Sequence, residues 1–471
     1  MIKYTIDDTA RIMGGTVIYG DGSETAGRAF ADSRQASADG LFFALKGDNR
    51  DGHEFLREVM DAGCRQFVIS DEDAFKNALG SRDGITAVKT DDTTEAMIAF
   101  AKTYLASLDA KRIGVTGSTG KTSTKDMMYA VSSGKYKTGR NLGNLNTLQG
   151  LCMTILGFDP DTEVAILEMG MDHAGEIHEL ADFIRPDIAL MTNVGISHLE
   201  RLGSRDNIFH AKMEIVDYFE NGASLIVSKG KDYLQRENVT HGYWKGAETP
   251  AGTYDVVMTG TDDDNDYVIS DIKENGFKGI SFDITHDGQL QHFELPVMGV
   301  HNALNAALAV AAGEKIGVSM AESAESLRKL ELTGGRLTVR KGRGYEVIDD
   351  TYNASPDSMG AALKILSEQE GARRVAILGE MYELGDDEKA LHRSMGELAK
   401  ELGIDKVLAI GPLAKNIEEG AGDIAEYFET KEEFIDEMDT YIKEGDIVLV
   451  KASRGLALEK VVKALTEGAD K

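Results

Sequence analysis

The sequence predicts an α/β protein of three domains, and three observations lead to this fold class. At 471 residues the chain is long enough for roughly three domains of ordinary size. Short apolar runs alternate with helical patterns, which is typical of parallel sheets covered by helices. A glycine-rich turn also joins one such run to a helix. We expect a small N-terminal α/β domain at 1–84, a central mononucleotide-binding α/β domain at 85–332 and a C-terminal Rossmann-like α/β domain at 333–471.

Each domain is predicted from its own series of strands. In the first block, the apolar runs Leu41–Leu45 and Gln66–Ser70 flank a helical stretch at Glu54–Ala62. The central block has buried-type strands, which we expect to form a parallel sheet, at Arg112–Thr116, Val164–Met169, Ile188–Thr192 and Ser224–Val227. Polar turns then separate four runs that predict a small antiparallel subdomain: Tyr254–Met258, Tyr267–Ile272, Gly279–Ile284 and Gln291–Leu295. The last block has strand-like runs at Glu346–Asp349, Val375–Leu378, Val407–Ile410 and Ile447–Val450.

The composition limits the partners of this protein. Its 51 Lys and Arg against 80 Asp and Glu give a net charge of −29, which disfavours nucleic acid or an anionic membrane as the main partner. The two cysteines, Cys64 and Cys152, have no disulfide or zinc spacing. The sequence shows neither an apolar run long enough for a membrane span nor an apolar leader. We therefore expect a cytoplasmic protein, by default a monomer, that acts on small molecules.

The segment Gly117-Ser118-Thr119-Gly120-Lys121-Thr122 carries the most chemical information. It follows an apolar strand and opens a helix, so its backbone N–H groups and the helix N-terminus can hold phosphate. Lys121 can reach the outer phosphates of a nucleoside triphosphate, and the Thr122 hydroxyl can ligate Mg²⁺. The loop is shorter than the general phosphate loop, because Val115 stands where that motif has its first glycine. A chance glycine-rich turn is the alternative.

Polar side chains also follow the next strands of the central block. Glu168 ends one strand and could hold Mg²⁺ through its carboxylate, or could simply face solvent. Asn193 and His198 follow another strand, at the sheet edge where ligands bind, and a structural histidine is the alternative. Lys212 lies on a predicted helix at 204–219, where its spacing alone indicates an ordinary surface lysine.

Later segments give weaker signals. Asn302 and Asn305 share one helical face and could bond a purine edge, although Asn302 could instead cap the helix. The segment 349–353 places two acids at a strand end, which could bond ribose hydroxyls or could form a plain turn. We expect the acidic turn 261–266 to be a solvated loop rather than a Ca²⁺ site.

Taken together, these segments resemble the Mur ligase family, ATP-dependent enzymes that form amide bonds in peptidoglycan precursor assembly. The resemblance covers nearly the whole chain and follows one order: the short phosphate loop, Glu168-Met-Gly, Thr-Asn-Val-Gly-x-x-His198, Ala-Lys212-x-Glu, His-Asn302-x-x-Asn305, Gly-Gly-Arg336 and Asp350-x-Tyr-Asn-x-x-Pro. In the first block, Asp32-Ser33-Arg34, Gly40–Gly47 and Asp51-Gly52-His53 are similar to the UDP-sugar-binding N-terminal domain of these ligases.

The resemblance implies roles for individual residues. ATP would be bound by Gly117, Ser118, Thr119, Gly120, Lys121 and Thr122 at its phosphates, by Asn302 and Asn305 at adenine, and by Arg336 and Asp350 at phosphate and ribose. Mg²⁺ would be held by Thr122, Glu168, His198 and Lys212, the last as a carbamate. The catalytic residues would be Lys121, Glu168, His198 and Lys212. The substrates would contact Ser33, Arg34, Lys46, Asn144, Asn146, Thr147, Tyr352, Asn353, Lys451 and Arg454.

Within the family, the segments 350–359 and 378–385 are similar to members that join D-alanyl-D-alanine to a UDP-N-acetylmuramoyl-tripeptide. The implied chemistry is activation of the peptide carboxylate as an acyl phosphate, followed by attack of the dipeptide amine. Thr147 stands where such members have a second asparagine, and Ala452 stands where glycine is expected. The first departure leaves the amine acceptor open, and the third residue of the peptide, diaminopimelate or lysine, is open as well.

Other functions remain as alternatives. A polyglutamate-type ligase of the same superfamily would not need the Asp32-Ser33-Arg34 block. A catalytically silent nucleotide-binding regulator is disfavoured because Lys121, Glu168, His198 and Lys212 are all present. A motor or kinase-like phosphate-loop protein is disfavoured by the short loop and by the third α/β block.

Overall fold

The computed structural model describes residues 4–47, 50–80, 84–230, 232–240, 254–369 and 373–467. The chain divides into two compact units. The first comprises Met1–Gly114, Lys135–Gly170 and Glu179–Asp187, and the second comprises Val115–Gly134, Met171–His178 and Ile188–Lys471. Across the described ranges, none of the helices combines the length and apolarity needed to cross a bilayer.

The first unit contains a five-stranded sheet around an aromatic core. Its strands lie in the order Thr16–Tyr19, Thr86–Lys89, Gln66–Ile69, Gly40–Phe43 and Arg28–Phe30, all parallel except the first, which runs antiparallel to its neighbour. Phe42, Phe67 and Phe75 are buried between the sheet and its helices. The predicted domain boundary at residue 84 falls immediately before Thr86–Lys89. Because that strand pairs inside this sheet, we propose that the N-terminal domain extends beyond Lys89.

The remaining elements of the first unit surround this sheet or follow it in the chain. The predicted helix at 54–62 is a 3-10 turn, Gly52–Phe55, followed by an α-helix, Leu56–Asp61. Strands Thr138–Arg140 and Val164–Glu168 pair in parallel. The other helices are Ile6–Ile12, Ser33–Gln35 (3-10), Glu72–Leu79, Thr93–Ser107 and Leu148–Ile155. Strand Lys111–Thr116 and helix Glu176–Ile184 each include residues of both units.

In the second unit, six strands of the central sheet follow one another in the order Gln289–Leu295, Ile280–His286, Tyr267–Glu274, Asp255–Gly260, Ser224–Ser228 and Ile188–Met191. The last three strands pair in parallel, and the first three are antiparallel. The prediction of four antiparallel strands was therefore wrong for the first of them. Asp255–Gly260 pairs in parallel with both Ser224–Ser228 and the start of Tyr267–Glu274, so it extends the central sheet.

A six-stranded sheet forms the C-terminal part of the same unit. Its order is Thr338–Lys341, Glu346–Asp350, Ile447–Lys451, Arg374–Gly379, Lys406–Ile410 and Ala425–Phe428. Only Thr338–Lys341 is antiparallel to its neighbour, as expected for a doubly wound domain. The sequence analysis missed the two outer strands, because each is an edge strand of four residues in which charged side chains interrupt any continuous apolar run.

The helices of the second unit position the candidate site residues. The phosphate-loop helix, Lys121–Ser133, packs against the alanine-rich helix His301–Lys315. The other α-helices are Leu199–Leu202, Arg205–Met213, Arg236–Val239, Met320–Leu327, Pro356–Ser367, Glu388–Glu401, Lys415–Ala421, Lys431–Tyr441 and Glu459–Thr466. Short 3-10 turns lie at Glu214–Val216, Gly276–Lys278, Gly385–Asp387, Pro412–Ala414, Gly422–Ile424 and Arg454–Leu456.

Candidate active site

The phosphate loop is held in shape by the two residues that follow strand Ile188–Met191. The Thr119 amide donates to the side-chain oxygen of Asn193 at 2.9 Å, and the Ser118 amide donates to the Asn193 carbonyl at 3.0 Å. The Thr192 hydroxyl donates to the Thr119 carbonyl at 2.5 Å. These bonds order the loop without a ligand, so the entropic cost of arranging it is met on folding.

Two glycines, Gly117 and Gly120, allow the phosphate loop to pack closely against Thr192 and Asn305. Gly117 has φ +149°, and a Cβ there would lie 1.8 Å from the Thr192 hydroxyl oxygen. Gly120 has φ +79°, and its Cβ would lie 2.8 Å from the side-chain oxygen of Asn305. Any larger residue at either position would be strained and would collide with the wall of the loop. The geometry therefore explains why the shortened motif keeps both glycines.

Lys121 and Thr122 begin the phosphate-loop helix. The Lys121 ammonium folds back over the loop and donates to the Gly117 carbonyl at 2.7 Å. The Thr122 side chain is buried. Because the helix begins at Lys121, both side chains lie at its N-terminus, where the helix dipole favours anions.

Lys212 is not the surface residue that its spacing indicated. Its side chain is only 1% exposed within helix Arg205–Met213. Burial and the charge of Lys121 lower the pKa of Lys212 well below its usual range. The buried site therefore disfavours the charged ammonium relative to the neutral amine, which is the nucleophilic form.

His198 lies beside two carboxylates that the sequence analysis did not assign. Its Nδ1 is 3.0 Å from Glu383 Oε2 and 3.4 Å from Asp172 Oδ1, although neither contact has hydrogen-bond geometry. The imidazole lowers the pKa of Glu383. One ligand atom from each of the three residues falls within 4.8 Å of the others. This trio could hold a divalent cation. The sequence had indicated His198 and the segment 378–385 that contains Glu383, but it gave no signal for Asp172, because the three residues are far apart in the chain.

Glu214 orders the loop that carries Asp172. Its buried carboxylate accepts hydrogen bonds from the amides of Gly175, at 2.9 and 3.0 Å, and of His178, at 3.0 Å. Burial outweighs these bonds and raises the pKa of Glu214 to about 7. Glu214, the glutamate of the Ala-Lys212-x-Glu motif, therefore stabilises the loop that carries Asp172 through its hydrogen bonds to that loop.

Asn302 and Asn305 are both buried on the helix that packs against the phosphate loop. Asn302 donates its side-chain amide to the Met298 carbonyl at 2.7 Å, and Asn305 donates to Asn302 Oδ1 at 3.1 Å. Asn302 is not a helix cap, because the helix begins at His301 and has no side-chain cap. The hydrogen bond between the two asparagine side chains instead orients the side chain of Asn305 toward Gly120.

The C-terminal candidates lie close together. The Arg336 guanidinium stacks on the Tyr352 ring at 3.5 Å, and that of Arg454 lies 5.3 Å from the same ring. Lys451 donates to Asp350 Oδ2 at 2.5 Å and to the Asn353 carbonyl at 2.9 Å. Six predicted residues therefore form one cluster, and the Asp350 carboxylate is already engaged by a cation within it.

Glu168 belongs to the other compact unit, at the end of strand Val164–Glu168. It is 2% exposed, which excludes the solvent-facing alternative. Asn146 donates its side-chain amide to Glu168 Oε1 at 3.2 Å, and the buried Asn141 accepts from the Glu168 amide at 2.9 Å. Asn146 therefore has a partner that the sequence analysis did not foresee, and Asn141 was missed.

The neighbouring candidates in this segment have simpler surroundings. Thr147 caps helix Leu148–Ile155 by accepting from the Gly150 amide at 3.4 Å. Asn144 is exposed, and Leu142 and Leu145 beside it are 57% and 44% exposed. Since threonine and asparagine are both helix-capping residues, the departure at Thr147 has a structural explanation.

In the N-terminal domain, Lys46 lines a cavity of about 680 Å³. Most of the charged lining is acidic: Asp71, Glu72, Asp73, Asp91 and Asp92 face Lys46 and Lys89. Asp51 and the buried His53 support one wall, because His53 accepts from the amides of Ser70 and Asp71. Ser33 and Arg34 are not part of the described lining; Arg34 instead pairs with Asp32 at 2.5 Å.

Comparison with known proteins identifies the family. Residues 115–313 match the Mur ligase middle domain, and residues 335–454 match the Mur ligase, glutamate ligase domain. The UDP-N-acetylmuramoyl-tripeptide–D-alanyl-D-alanine ligase of Bacillus subtilis (strain 168) is 36% identical over 475 residues, covering 99% of both chains. The enzyme of that name from Escherichia coli (strain K12) is 31% identical and again covers 99% of both chains.

Solved structures agree with these matches. A crystal structure of MurF from Acinetobacter baumannii superposes with a TM-score of 0.85 at 27% identity, covering 99% of both chains. MurF from Thermotoga maritima in complex with ADP gives 0.79 at 26% identity, covering 94% of this chain and 98% of the other. With full-length relatives above 30% identity and both family models matched, the chain belongs to the Mur ligase family, and within it to the family of UDP-N-acetylmuramoyl-tripeptide–D-alanyl-D-alanine ligases.

Proposed function

We propose that the chain joins D-alanyl-D-alanine to a UDP-N-acetylmuramoyl-tripeptide and converts ATP to ADP and phosphate. The names of the full-length relatives support the substrates. The observation that carries the chemistry is the phosphate loop, ordered by Thr192 and Asn193 with the Lys121 ammonium folded over it. We further propose a monomeric enzyme of the cytoplasm, with three domains in the predicted order.

In the first step, the peptide carboxylate attacks the γ-phosphorus of ATP. A new O–P bond forms, the bond to the β–γ bridging oxygen breaks, and ADP leaves with that electron pair. The Lys121 ammonium can move from the Gly117 carbonyl to the phosphate oxygens, where it offsets the charge that develops. Arg336 and Asp350, as in the family, would contact the phosphate and ribose.

The donor groups of this chain fit Mg²⁺. The buried Thr122 hydroxyl and the carboxylates that surround His198 are hard oxygen donors, which Mg²⁺ prefers. The family resemblance adds Glu168 and a carbamylated Lys212 to this set. When bound, the ion neutralises charge on the phosphate oxygens.

Carbamylation of Lys212 is chemically reasonable in this environment. The amine nitrogen forms a bond to the carbon of CO₂ and releases one proton, which leaves a carbamate anion. Only the neutral amine reacts, and burial shifts the pKa of Lys212 in the direction that favours that form. The product changes the buried group from a base into an oxygen donor for the metal.

In the second step, the amine of the dipeptide attacks the acyl carbon, and phosphate leaves with the C–O bonding electrons. The acyl phosphate would hydrolyse if water reached it, so the site must be closed at this stage. We assign peptide contacts to Tyr352, Asn353, Lys451 and Arg454, which form one cluster. Other substrate contacts would come from Asn144, Asn146, Thr147, Ser33, Arg34 and Lys46.

The test is phosphate release from ATP with UDP-N-acetylmuramoyl-tripeptide, with and without D-alanyl-D-alanine, and mass analysis of the product. We expect release that depends on both substrates and a UDP-linked pentapeptide. Lys121→Ala should remove this activity and leave the melting temperature unchanged. Release that follows a different amine would replace the dipeptide in the proposal, and an absence of release with any amine would refute a ligase function.

A further inference from the structure

The segment between the two matched family domains is attached to the phosphate-loop helix. The Thr333 amide donates to Asp126 Oδ2 at 2.8 Å, and the Thr333 hydroxyl donates to the same oxygen. Asp126 lies within helix Lys121–Ser133 and is 1% exposed. It stands one turn after Thr122, on the same face of the helix. The carboxylate thus connects the nucleotide-binding helix directly to the chain that leads into the C-terminal domain.

The same threonine also holds a predicted nucleotide-binding residue. The Thr333 carbonyl accepts a hydrogen bond from Arg336 Nη1, and the Arg336 guanidinium stacks on Tyr352. One residue further, the Leu337 amide donates to Asp350 Oδ1 at 3.3 Å. Arg336 lies in the segment that Asp126 anchors, and Asp350 is hydrogen-bonded to the same segment. Both C-terminal residues assigned to ATP are therefore connected to Asp126 through this segment.

The backbone between Thr333 and Arg336 is tightly constrained, so the position of Arg336 relative to Thr333 can change little. Gly334 has φ +79°, a conformation that favours glycine. A Cβ at Gly335 would lie 2.2 Å from Asp349 Oδ1 and 2.9 Å from the Thr351 hydroxyl. Because the segment packs this closely on the strand end that bears Asp350, a displacement of Thr333 would move Arg336 with it.

We propose that Asp126 is a positioning residue, which holds Thr333 so that Arg336 is directed at the nucleotide bound by the phosphate loop. Asp126 would not touch ATP; it would act through Thr333 and Arg336. The proposal rests on the proposed function, since the phosphate contact of Arg336 belongs to that assignment. It adds a defined link between the helix that binds the phosphates and the domain that completes the nucleotide site.

The test removes the Thr333 hydroxyl without changing the shape of the side chain. Thr333→Val loses one of the two bonds to a buried carboxylate, and Thr333→Ser retains it. Thr338→Val is the matched control, because the Thr338 hydroxyl contacts the Gly334 carbonyl at 3.4 Å and does not contact Asp126. Asp126→Asn tests the other partner. Binding of a non-hydrolysable ATP analogue is measured by calorimetry, and kcat and the KM for ATP are measured by ligation.

We expect Thr333→Val and Asp126→Asn to weaken analogue binding and to raise the KM for ATP about tenfold, because hydrogen bonds to charged groups are stronger than average. Thr333→Ser and Thr338→Val should remain close to wild type. Hydrogen exchange should accelerate at residues 333–337 in the first two variants, with little change in melting temperature. Analogue affinities equal across all four variants, or losses of affinity that only follow a lower melting temperature, would overturn the proposal.

The binding assay separates this inference from the ligase assignment. If wild-type protein binds the analogue but forms no pentapeptide, the proposed function fails, while the comparison of the variants still decides whether Asp126 positions the nucleotide site. If the wild type forms pentapeptide and the variants bind nucleotide equally well, only the inference fails.

Discussion

Substitution of Gly117 by alanine is the most direct test of the phosphate-loop geometry. The new Cβ would lie 1.8 Å from the Thr192 hydroxyl oxygen and 3.2 Å from the Asn193 amide nitrogen. Thr192 would have to rotate away, and its bond to the Thr119 carbonyl would be lost. The substitution therefore disrupts the contacts that order the loop, but it removes no chemical group that is assigned to ATP binding.

The expected magnitude follows from two costs. Loss of the Thr192 hydrogen bond costs about 1 kcal/mol, and a non-glycine residue at φ +149° costs roughly 1–3 kcal/mol. If the variant must still reach the loop shape seen here to bind phosphate, the sum of about 2–4 kcal/mol appears as a roughly 30- to 700-fold loss of nucleotide affinity.

The assay is calorimetric titration with a non-hydrolysable ATP analogue, together with a thermal melt. Gly222→Ala is the matched control, since Gly222 also has positive φ, +88°, but no atom lies within 4 Å of its Cβ position. That control should lose stability and keep its affinity. An affinity of Gly117→Ala within threefold of wild type, at an unchanged melting temperature, would refute the reasoning.

Three further predictions concern the buried groups of the site. Lys212→Arg should abolish a carbamate resonance seen by ¹³C NMR with labelled bicarbonate and should lower ligation at least a hundredfold, since carbamylation needs a neutral amine; a wild-type rate would contradict the assignment. Burial raises the pKa of Glu214 to about 7 from its ordinary 4.5, so the folded chain retains a proton that the unfolded chain loses within this window. The free energy of unfolding should therefore fall as pH rises from about 4.5 to 7, by on the order of 1–3 kcal/mol; urea titrations of Glu214→Gln should show a flatter pH dependence, and an unchanged slope would exclude Glu214 as its source. Asn146→Ala should raise the Mg²⁺ concentration for half-maximal activity about tenfold because the hydrogen bond from Asn146 to the Glu168 carboxylate is lost, whereas Gln149→Ala, at an exposed position, should leave it unchanged.

Much of the fold and the phosphate site could be predicted because the signals are local. The loop from Gly117 to Thr122 and the strand before it are contiguous in sequence, and apolar runs such as Val407–Ile410 indicate buried strands without reference to any partner. Edge strands such as Ala425–Phe428 were missed, because an exposed glutamate interrupts this strand and leaves no continuous apolar run. The direction of Asp255–Gly260 was predicted wrongly, since a run of this kind suits either pairing and only its neighbours decide.

The phosphate loop, the order of the motifs and the α/β class follow from the amino-acid sequence alone, because each depends on residues a few positions apart. The burial of Lys212, the meeting of Glu383 and Asp172 with His198, and the anchoring of Thr333 by Asp126 follow only from the folded arrangement. Each of these contacts joins residues that are distant in the chain or depends on what other segments exclude from water. The properties that follow, a lowered lysine pKa and a cluster of oxygen donors, exist only after folding brings those segments together.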